Sequence, residues 1–255
     1  MILRKLSGKV AVVTGAASGM GKSIAKLFAA EGSNVIVSDI NLDDAAKVVH
    51  EITEKGGCAI AHSANVAVEQ DVDRLIEDAI KHFGTVDILI NNAGIMDNFE
   101  PVEDVSDELW DKVLAVNTTG CMRTIRKVIP IFTEKKAGVI VNIASVGGLA
   151  GSRAGVAYTA SKHALIGITK NVGFQYAKLG IRCNAVAPGG VNTNIGTSLT
   201  NPNSFGAENV MAGSGIGIRL GEPEEVAKIA LFLASDESSF VNGTVITADA
   251  GNLAY

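Results

Sequence analysis

The chain has 255 residues, 47% of them hydrophobic, and a formal net charge of −5 at pH 7. That length suits one large α/β domain or two small ones, and an acidic balance with scattered basic residues excludes the electrostatic footprint of a nucleic-acid binder. No apolar run reaches the ~18 residues that cross a bilayer, and the opening Met1-Ile2-Leu3-Arg4-Lys5-Leu6-Ser7-Gly8-Lys9 lacks the apolar core of a signal peptide.

Predicted strands at 9–14, 34–39, 59–63, 86–91, 138–143, 182–187 and 244–248 alternate with amphipathic helical stretches, and no linker or repeat interrupts them. Strands separated by helices must be parallel, because the return path lies over a sheet face. The expected fold is a single doubly wound (Rossmann) α/β domain over residues 1–255, with about seven parallel strands and helices on both faces. In such a sheet, ligands bind beyond the carboxyl ends of the strands.

The first strand runs into Thr14-Gly15-Ala16-Ala17-Ser18-Gly19-Met20-Gly21 and then a helical pattern. Strand, glycine turn and helix together suit a dinucleotide. Glycine lets the backbone approach the ligand closely, and the helix N-terminus offers free amides to a pyrophosphate. The spacing, G-x-x-x-G-x-G, departs from the usual G-x-G-x-x-G. Asp39, closing the second strand ahead of Ile40-Asn41, is placed for ribose hydroxyls and would repel a 2′-phosphate. Neither Ala17 nor Ile40-Asn41 supplies a cation for such a phosphate, so NAD(H) is favoured over NADP(H). Lys22 could reach a phosphate, but reads better as a solvated first-turn charge.

Further along, Ser145 follows the fifth strand, and Tyr158-Thr159-Ala160-Ser161-Lys162 begins thirteen residues later. On a helix, Lys162 lies one turn beyond Tyr158 on the same face. Its charge would stabilise a phenolate, which turns a poor base into a useful one. With the Ser145 hydroxyl beside them, these groups suit proton transfer to or from a carbonyl or alcohol oxygen. The segment 192–218 breaks the alternation, is rich in Gly, Asn and Ser, and reads as a substrate lid. Helix resumes at Glu222-Pro223-Glu224-Glu225, with proline at the first turn and acids at the positive helix end.

Cys58, Cys121 and Cys183 are far apart and read as small buried hydrophobes in a reducing, cytoplasmic compartment. His50, His62, His82 and His163 show no ligand pattern, so no metal is expected.

In order and spacing these motifs resemble the short-chain dehydrogenase/reductase family across essentially the whole chain. The resemblance extends to Asn91-Asn92-Ala93-Gly94 after the fourth strand, to Asn117 in a helix, to Pro188-Gly189-Gly190-Val191-Asn192-Thr193, and to Asp249-Ala250-Gly251 near the end. It implies catalytic roles for Asn117, Ser145, Tyr158 and Lys162. It implies cofactor contacts from Gly15, Ser18, Gly19, Met20, Gly21, Asp39, Ile40, Asn65, Val66, Asn91, Ala93, Gly94, Tyr158, Lys162, Pro188, Gly189, Val191 and Thr193. Asn65-Val66 stands where the family commonly has Asp-Val against adenine, and Thr193 would bond the carboxamide. Asn117 would hold a water linking Lys162 to solvent, while Lys162 would also reach the nicotinamide ribose.

The expected activity is NAD(H)-dependent interconversion of a neutral secondary alcohol and a ketone. Ile95, Met96, Val146, Leu149, Gly190 and the lid would wall the pocket, and Arg153 could greet an anionic substrate. A homotetramer is implied, through helices at 110–128 and 157–177 and the C-terminal strand. Two alternatives are an NADPH-dependent 3-oxoacyl-carrier-protein reductase, whose glycine turn normally carries a basic residue, and a non-catalytic nucleotide-binding sensor or scaffold.

Overall fold

The structure is a computed structural model describing residues 4–214 and 219–254. Residues 1–3, where the segment read as lacking a leader begins, residues 215–218, the end of the segment read as a lid, and residue 255 lie outside the described residues.

Seven strands form one sheet: β1 (Val10–Thr14), β2 (Asn34–Asp39), β3 (Cys58–Ser63), β4 (Ile88–Asn91), β5 (Gly138–Ile143), β6 (Ile181–Pro188) and β7 (Val245–Ala248), in the order β3-β2-β1-β4-β5-β6-β7. All pairings are parallel, with Val12 opposite Ile36 and Leu89, and Val141 opposite Asn184. Strand order reverses between β1 and β4, the switch point at which doubly wound sheets open a crevice. Expected and observed strand ends agree within two residues. Residues 86–87 fall outside β4, and there the Asp87 carboxylate accepts the Val10 N–H at 2.8 Å.

The helices are α1 (Gly19–Ala30), α2 (Leu42–Thr53), α3 (Glu69–Phe83), α4 (Asp107–Leu114), α5 (Cys121–Lys135), α6 (Val156–Tyr176), α7 (Ser204–Ser214) and α8 (Pro223–Ala234). Their ends follow local chemistry. Asn41 Oδ1 accepts the Asp44 N–H at 3.2 Å to start α2, and Ser106 Oγ accepts the Leu109 N–H at 3.2 Å to start α4. Gly84, at φ 79°, closes α3 in the left-handed conformation, and Pro223 opens α8 while the Glu225 carboxylate accepts the Glu222 N–H at 2.9 Å.

Both faces of the sheet are covered. Ala11, Val13 and Val37 pack with Ile24 and Phe28 of α1 and Val226 and Leu233 of α8. Val10, Val12 and Ile36 pack on the other side with Leu75 and Ile76 of α3 and Val128 and Phe132 of α5. Successive residues of β1 thus enter opposite cores, which is why that strand reads as an unbroken apolar run.

Two expectations need correcting. The segment 192–218 was expected to lack regular structure, yet it holds a 3₁₀ turn at Asn194–Ser198 and then α7. Its Gly, Ser and Asn content hid a helix whose start is fixed by Asn203 Oδ1 accepting the Gly206 N–H at 2.9 Å. Cys58 is exposed, at the start of edge strand β3, whereas Cys121 and Cys183 are buried. Burial pushes the Cys121 thiol up to about 11 and raises that of Cys183 as well. Among the described residues no helix is long and apolar enough to cross a membrane, and no three His, Cys, Asp or Glu side chains gather as metal ligands.

Candidate active site

The carboxyl ends of β1 to β4 open onto a cleft of about 470 Å³. Its floor is the glycine turn. Gly15 (φ 62°) and Gly19 (φ 51°) adopt the left-handed conformation, and a methyl on Gly15 would lie 2.8 Å from Ala93 Cα. Gly21 has no room for a side chain: a methyl there would overlap the Gly15 carbonyl and lie 2.5 Å from Asn92 Nδ2. That amide donates to the Thr14 and Gly15 carbonyls at 3.0 and 2.9 Å, while Thr14 Oγ accepts the Asn92 and Ala93 N–H groups at 3.1 and 3.2 Å. The ends of β1 and β4 are therefore laced together. Ser18 precedes α1 in an extended conformation and makes no side-chain cap, so the first-turn amides beside Gly19 and Met20 adjoin the cleft. A dinucleotide pyrophosphate fits this arrangement of close-approaching backbone and helix amides.

The cleft's far wall carries charge of one sign. Asp39 and Asp44 line it with Ile40 and Asn41, and no Lys or Arg is among the lining residues described. Asp39 is held from both sides, its Oδ2 accepting the Ala17 N–H at 3.0 Å and its Oδ1 the Asn41 N–H at 3.1 Å. Lys22 turns towards α2, where it and Lys26 each pair with Glu51 at 2.7 Å. The two cations hold the Glu51 carboxyl down at about 2. Asn65 Oδ1 accepts the Ala67 N–H at 3.0 Å, turning the chain towards α3, and Val66 packs against Gly120. Thr193 Oγ accepts the Ile195 N–H at 3.4 Å, and its side chain would lie 3.2 Å from a methyl at Gly19, which brings the 188–193 segment over the glycine turn.

A second group of side chains lies beside the cleft, where β5 and α6 meet. Ser145 heads a 3₁₀ turn (Val146–Gly148), its Oγ accepting the Gly147 N–H at 3.0 Å. A methyl on Gly147 would lie 3.4 Å from both Ser145 Oγ and Tyr158 Cε1, so hydroxyl and ring edge flank one point. Lys162, 3% exposed, donates from Nζ to the Ile143 carbonyl at 2.9 Å, and that Nζ lies 5.6 Å from the centre of the Tyr158 ring. Nζ retains two further protons for donation. Gly94 joins the two groups: it lines the cleft, and a methyl there would lie 3.5 Å from Lys162 Nζ and 3.4 Å from Asn117 Oδ1.

Asn117 sits in a π-helical turn, Ala115–Gly120, between α4 and α5. Such turns often mark functional positions, since one extra residue re-aims the side chains. It is fully buried. Its Oδ1 accepts the Ile95 N–H at 2.9 Å, and its Nδ2 donates to the Ile95 carbonyl at 3.0 Å and to Ser161 Oγ at 3.1 Å.

The structure thus brings Gly15, Ser18, Gly19, Met20, Asp39, Ile40, Asn65, Val66, Ala93, Gly94 and Thr193 to the cleft wall. Gly21, Pro188, Gly189 and Val191 are not among its lining residues. Gly189 donates to the Ala248 carbonyl at 3.0 Å and Val191 bridges to Gly221. The Asn91 side chain is buried in the core between Asn142 Oδ1 at 2.9 Å and Thr124 Oγ at 2.6 Å. Two residues escaped sequence reading. Asn92, the lace of the glycine turn, was legible only as part of a motif. Asp97 is fully buried and accepts the Tyr158 N–H at 2.7 Å, the Gly155 N–H at 3.1 Å and the Phe99 N–H at 3.2 Å. Burial pushes its carboxyl up from the ordinary value and those donors pull it back. Its one signal in the sequence is an acid directly after the apolar Ile95-Met96.

A family model described as enoyl-(acyl carrier protein) reductase matches residues 15–252. The chain is 42% identical over 251 residues to a 3beta-hydroxysteroid dehydrogenase 2 of Eggerthella lenta, spanning 98% of this chain and 96% of that one. It is 41% identical over 245 residues to a cyclohexanol dehydrogenase of an Acinetobacter species, spanning 96% and 95%. To a 3-oxoacyl-acyl-carrier-protein reductase of Thermotoga maritima it is 39% identical over 247 residues, spanning 97% and 98%. Levodione reductase superposes with a TM-score of 0.90 at 31% identity, covering 98% of this chain and all of that one. A Beutenbergia cavernae structure, described as an NAD(P)-dependent gluconate 5-dehydrogenase with NADP at low occupancy, gives 0.88 at 36% identity, covering 99% and 100%.

Proposed function

The chain belongs to the short-chain dehydrogenase/reductase family, and from that premise we propose that it interconverts a neutral secondary alcohol and its ketone with NAD(H). The observation that carries the proposal is the convergence of Ser145 Oγ and the Tyr158 ring on one point at Gly147, with Lys162 Nζ beside the ring. When bound, the nicotinamide supplies or accepts the hydride. The protein's own residues handle the proton. In oxidation the Tyr158 phenolate takes the hydroxyl proton, and in reduction the phenol returns it to the carbonyl oxygen. Ser145 donates to that same oxygen as charge develops, a contribution commonly of a few kcal/mol. The Lys162 ammonium lies beside the ring that carries this proton, and its remaining donors are available to a ribose beyond Gly94.

Asp39, Asp44 and the lack of a basic residue among the described cleft residues support NAD(H) over NADP(H), since a 2′-phosphate would meet two carboxylates. The small residues Gly147 and Gly148 beside Ser145, with Val146 and Ile95, suit an uncharged substrate, and two relatives are named for alicyclic secondary alcohols. The segment 192–218 is the proposed lid, of which residues 192–214 are described. A homotetramer is supported by exposed Phe174 and Phe240, and by an apolar groove along α5 and α6 lined by Met122, Ile129, Pro130 and Ile168. A cytoplasmic location suits three free thiols.

The test is a fluorescence titration with NADH and with NADPH, followed by turnover of cyclohexanone, 2-butanone, a 3-ketosteroid and acetoacetyl-coenzyme A. Tighter NADH binding with turnover of the neutral ketones is expected. Preferential NADPH binding with reduction of the thioester alone would favour the 3-oxoacyl-carrier-protein reductase reading, to which the Thermotoga relative gives weight.

A further inference from the structure

Asp97 and Lys162 are the charged side chains buried among the described residues, and the proton path uses only Lys162. No basic side chain described in the structure lies within ion-pair distance of Asp97. Its partners are the three backbone N–H groups of Tyr158, Gly155 and Phe99. Burying a carboxylate on amides alone is expensive, and it persists where the surroundings depend on it.

What depends on it is the start of α6. Tyr158 is the third residue of this helix, so its N–H has no carbonyl partner one turn back. The residue before the helix, Gly155, has no side chain to supply one. Asp97 supplies that acceptor from another element, 61 residues away from Tyr158 in sequence. Gly155 makes room for it, because a methyl there would lie 2.6 Å from Asp97 Oδ2 and 2.5 Å from Glu100 N. The adjacent Val156 N–H donates to the Glu100 carbonyl at 3.0 Å, completing a clamp on the first turn.

The other side of the same turn meets the 192–214 segment. Asn98 and Phe99 adopt φ of 58° and 59°, a left-handed pair that is unusual for a bulky side chain and clusters at functional sites. The Asp97 carboxylate bonds to the Phe99 N–H within this turn. Outward, the Asn98 carbonyl accepts the Asn203 N–H at 2.8 Å, and Asn98 Oδ1 accepts the Thr200 N–H at 3.2 Å. Gly206 of α7 packs directly on the Phe99 carbonyl, where no side chain would fit.

We propose that Asp97 is a positioning residue: by binding the N–H groups of Tyr158, Gly155 and Phe99 together, it fixes the phenol relative to Lys162 and Ser145 and ties that placement to the seating of α7 on the Asn98–Phe99 turn. The proposal rests on the acid/base role read for Tyr158. Asparagine cannot replace the carboxylate, since one end of its amide would present N–H to N–H.

The experiment compares Asp97→Asn, Gly206→Ala and Tyr158→Phe in the full chain, using the fastest alcohol of the panel cyclohexanol, 2-butanol and a 3-hydroxysteroid. NADH affinity, kcat and KM for the alcohol are measured. Asp97→Asn should bind NADH as the parent does and lose on the order of 10- to 100-fold in kcat, as expected of a reacting group displaced by about an ångström. KM for the alcohol should change much less than kcat, because the misplaced phenol acts on the proton-transfer step rather than on substrate binding. Gly206→Ala approaches the turn from α7 without touching the carboxylate, so it reports even where Asp97→Asn does not fold, and should lower kcat with NADH affinity kept, in the same way. A parent-like kcat in Gly206→Ala, or a loss in Asp97→Asn shared equally by NADH binding and kcat, overturns the proposal. A fully active Tyr158→Phe enzyme would instead overturn the acid/base reading itself.

Discussion

Asn117 and Ile95 exchange two hydrogen bonds, the side-chain amide of one pairing with both backbone groups of the other at 2.9 and 3.0 Å. The amide thereby behaves as a strand neighbour for the chain leaving β4, and its remaining proton reaches Ser161 on the turn of α6 between Tyr158 and Lys162. The residue expected to hold a water beside Lys162 is also the joint between the 92–97 loop, the π-helical turn and α6.

Asn117→Ala should therefore lower stability as well as activity. It leaves the two backbone groups of Ile95 without their side-chain partner and removes the bond that Ser161 Oγ accepts, while that hydroxyl still donates to the Tyr158 carbonyl at 2.7 Å, a cost of about 1–3 kcal/mol. Thermal unfolding and kcat should fall together. Asn117→Asp should do at least as much harm, since a carboxylate cannot donate to the Ile95 carbonyl. Unchanged melting with lowered kcat would assign Asn117 to the proton path alone.

Gly21→Ala places a methyl against the Gly15 carbonyl and 2.5 Å from Asn92 Nδ2, breaking the lace between β1 and β4. Overpacking of this kind costs roughly 1–3 kcal/mol. NADH affinity should drop at least ~10-fold, the equivalent of about 1.4 kcal/mol. Calorimetric titration against the parent decides it, and a parent-like affinity would mean the turn relaxes around the methyl.

Asp39→Ala removes the cleft carboxylate proposed to meet the ribose, which is also the acceptor of the Ala17 N–H. NADH binding should weaken and NADPH binding strengthen, narrowing the ratio of the two dissociation constants by roughly tenfold or more. Asp44 remains as a second negative charge in the same wall, so Asp39→Ala with Asp44→Asn should move the ratio further. A ratio that stays fixed would remove Asp39 from cofactor choice.

Glu51 links α1 to α2 through Lys22 and Lys26, and its carboxyl is held at about 2 against an ordinary 4.5. A lowered carboxylate stabilises the fold above the unfolded value, and that contribution is lost as pH falls from 4.5 towards 2. Glu51→Gln should be less stable than the parent at pH 7, by up to about 1 kcal/mol because water screens the pair. Urea unfolding at pH 7, 4.5 and 3 should show this gap shrinking with acid. A gap that widens below pH 4.5 would refute the assignment.

The alternation of strands and helices, hence one parallel sheet, was legible in the residues alone, because hydrophobic period and glycine turns act over a few residues. The sequence also located most of the cleft: Gly15, Asp39, Asn65 and Gly94 stand at strand ends, and a doubly wound sheet gathers those ends along one edge. The pairing of Tyr158 with Lys162 needed only the helical repeat. Features that require two distant segments to meet emerge only when the chain is folded. Asn91 turned into the core while Asn92 took the glycine turn, because a strand end alternates its faces and only packing tells which is inward. Cys58 surfaced because β3 is an edge, and Lys22 left the cleft because α2 offers Glu51. Asp97 bears on the start of α6 through Tyr158, 61 residues on, and hydrogen bonds to backbone amides leave no mark in the residue types that donate them.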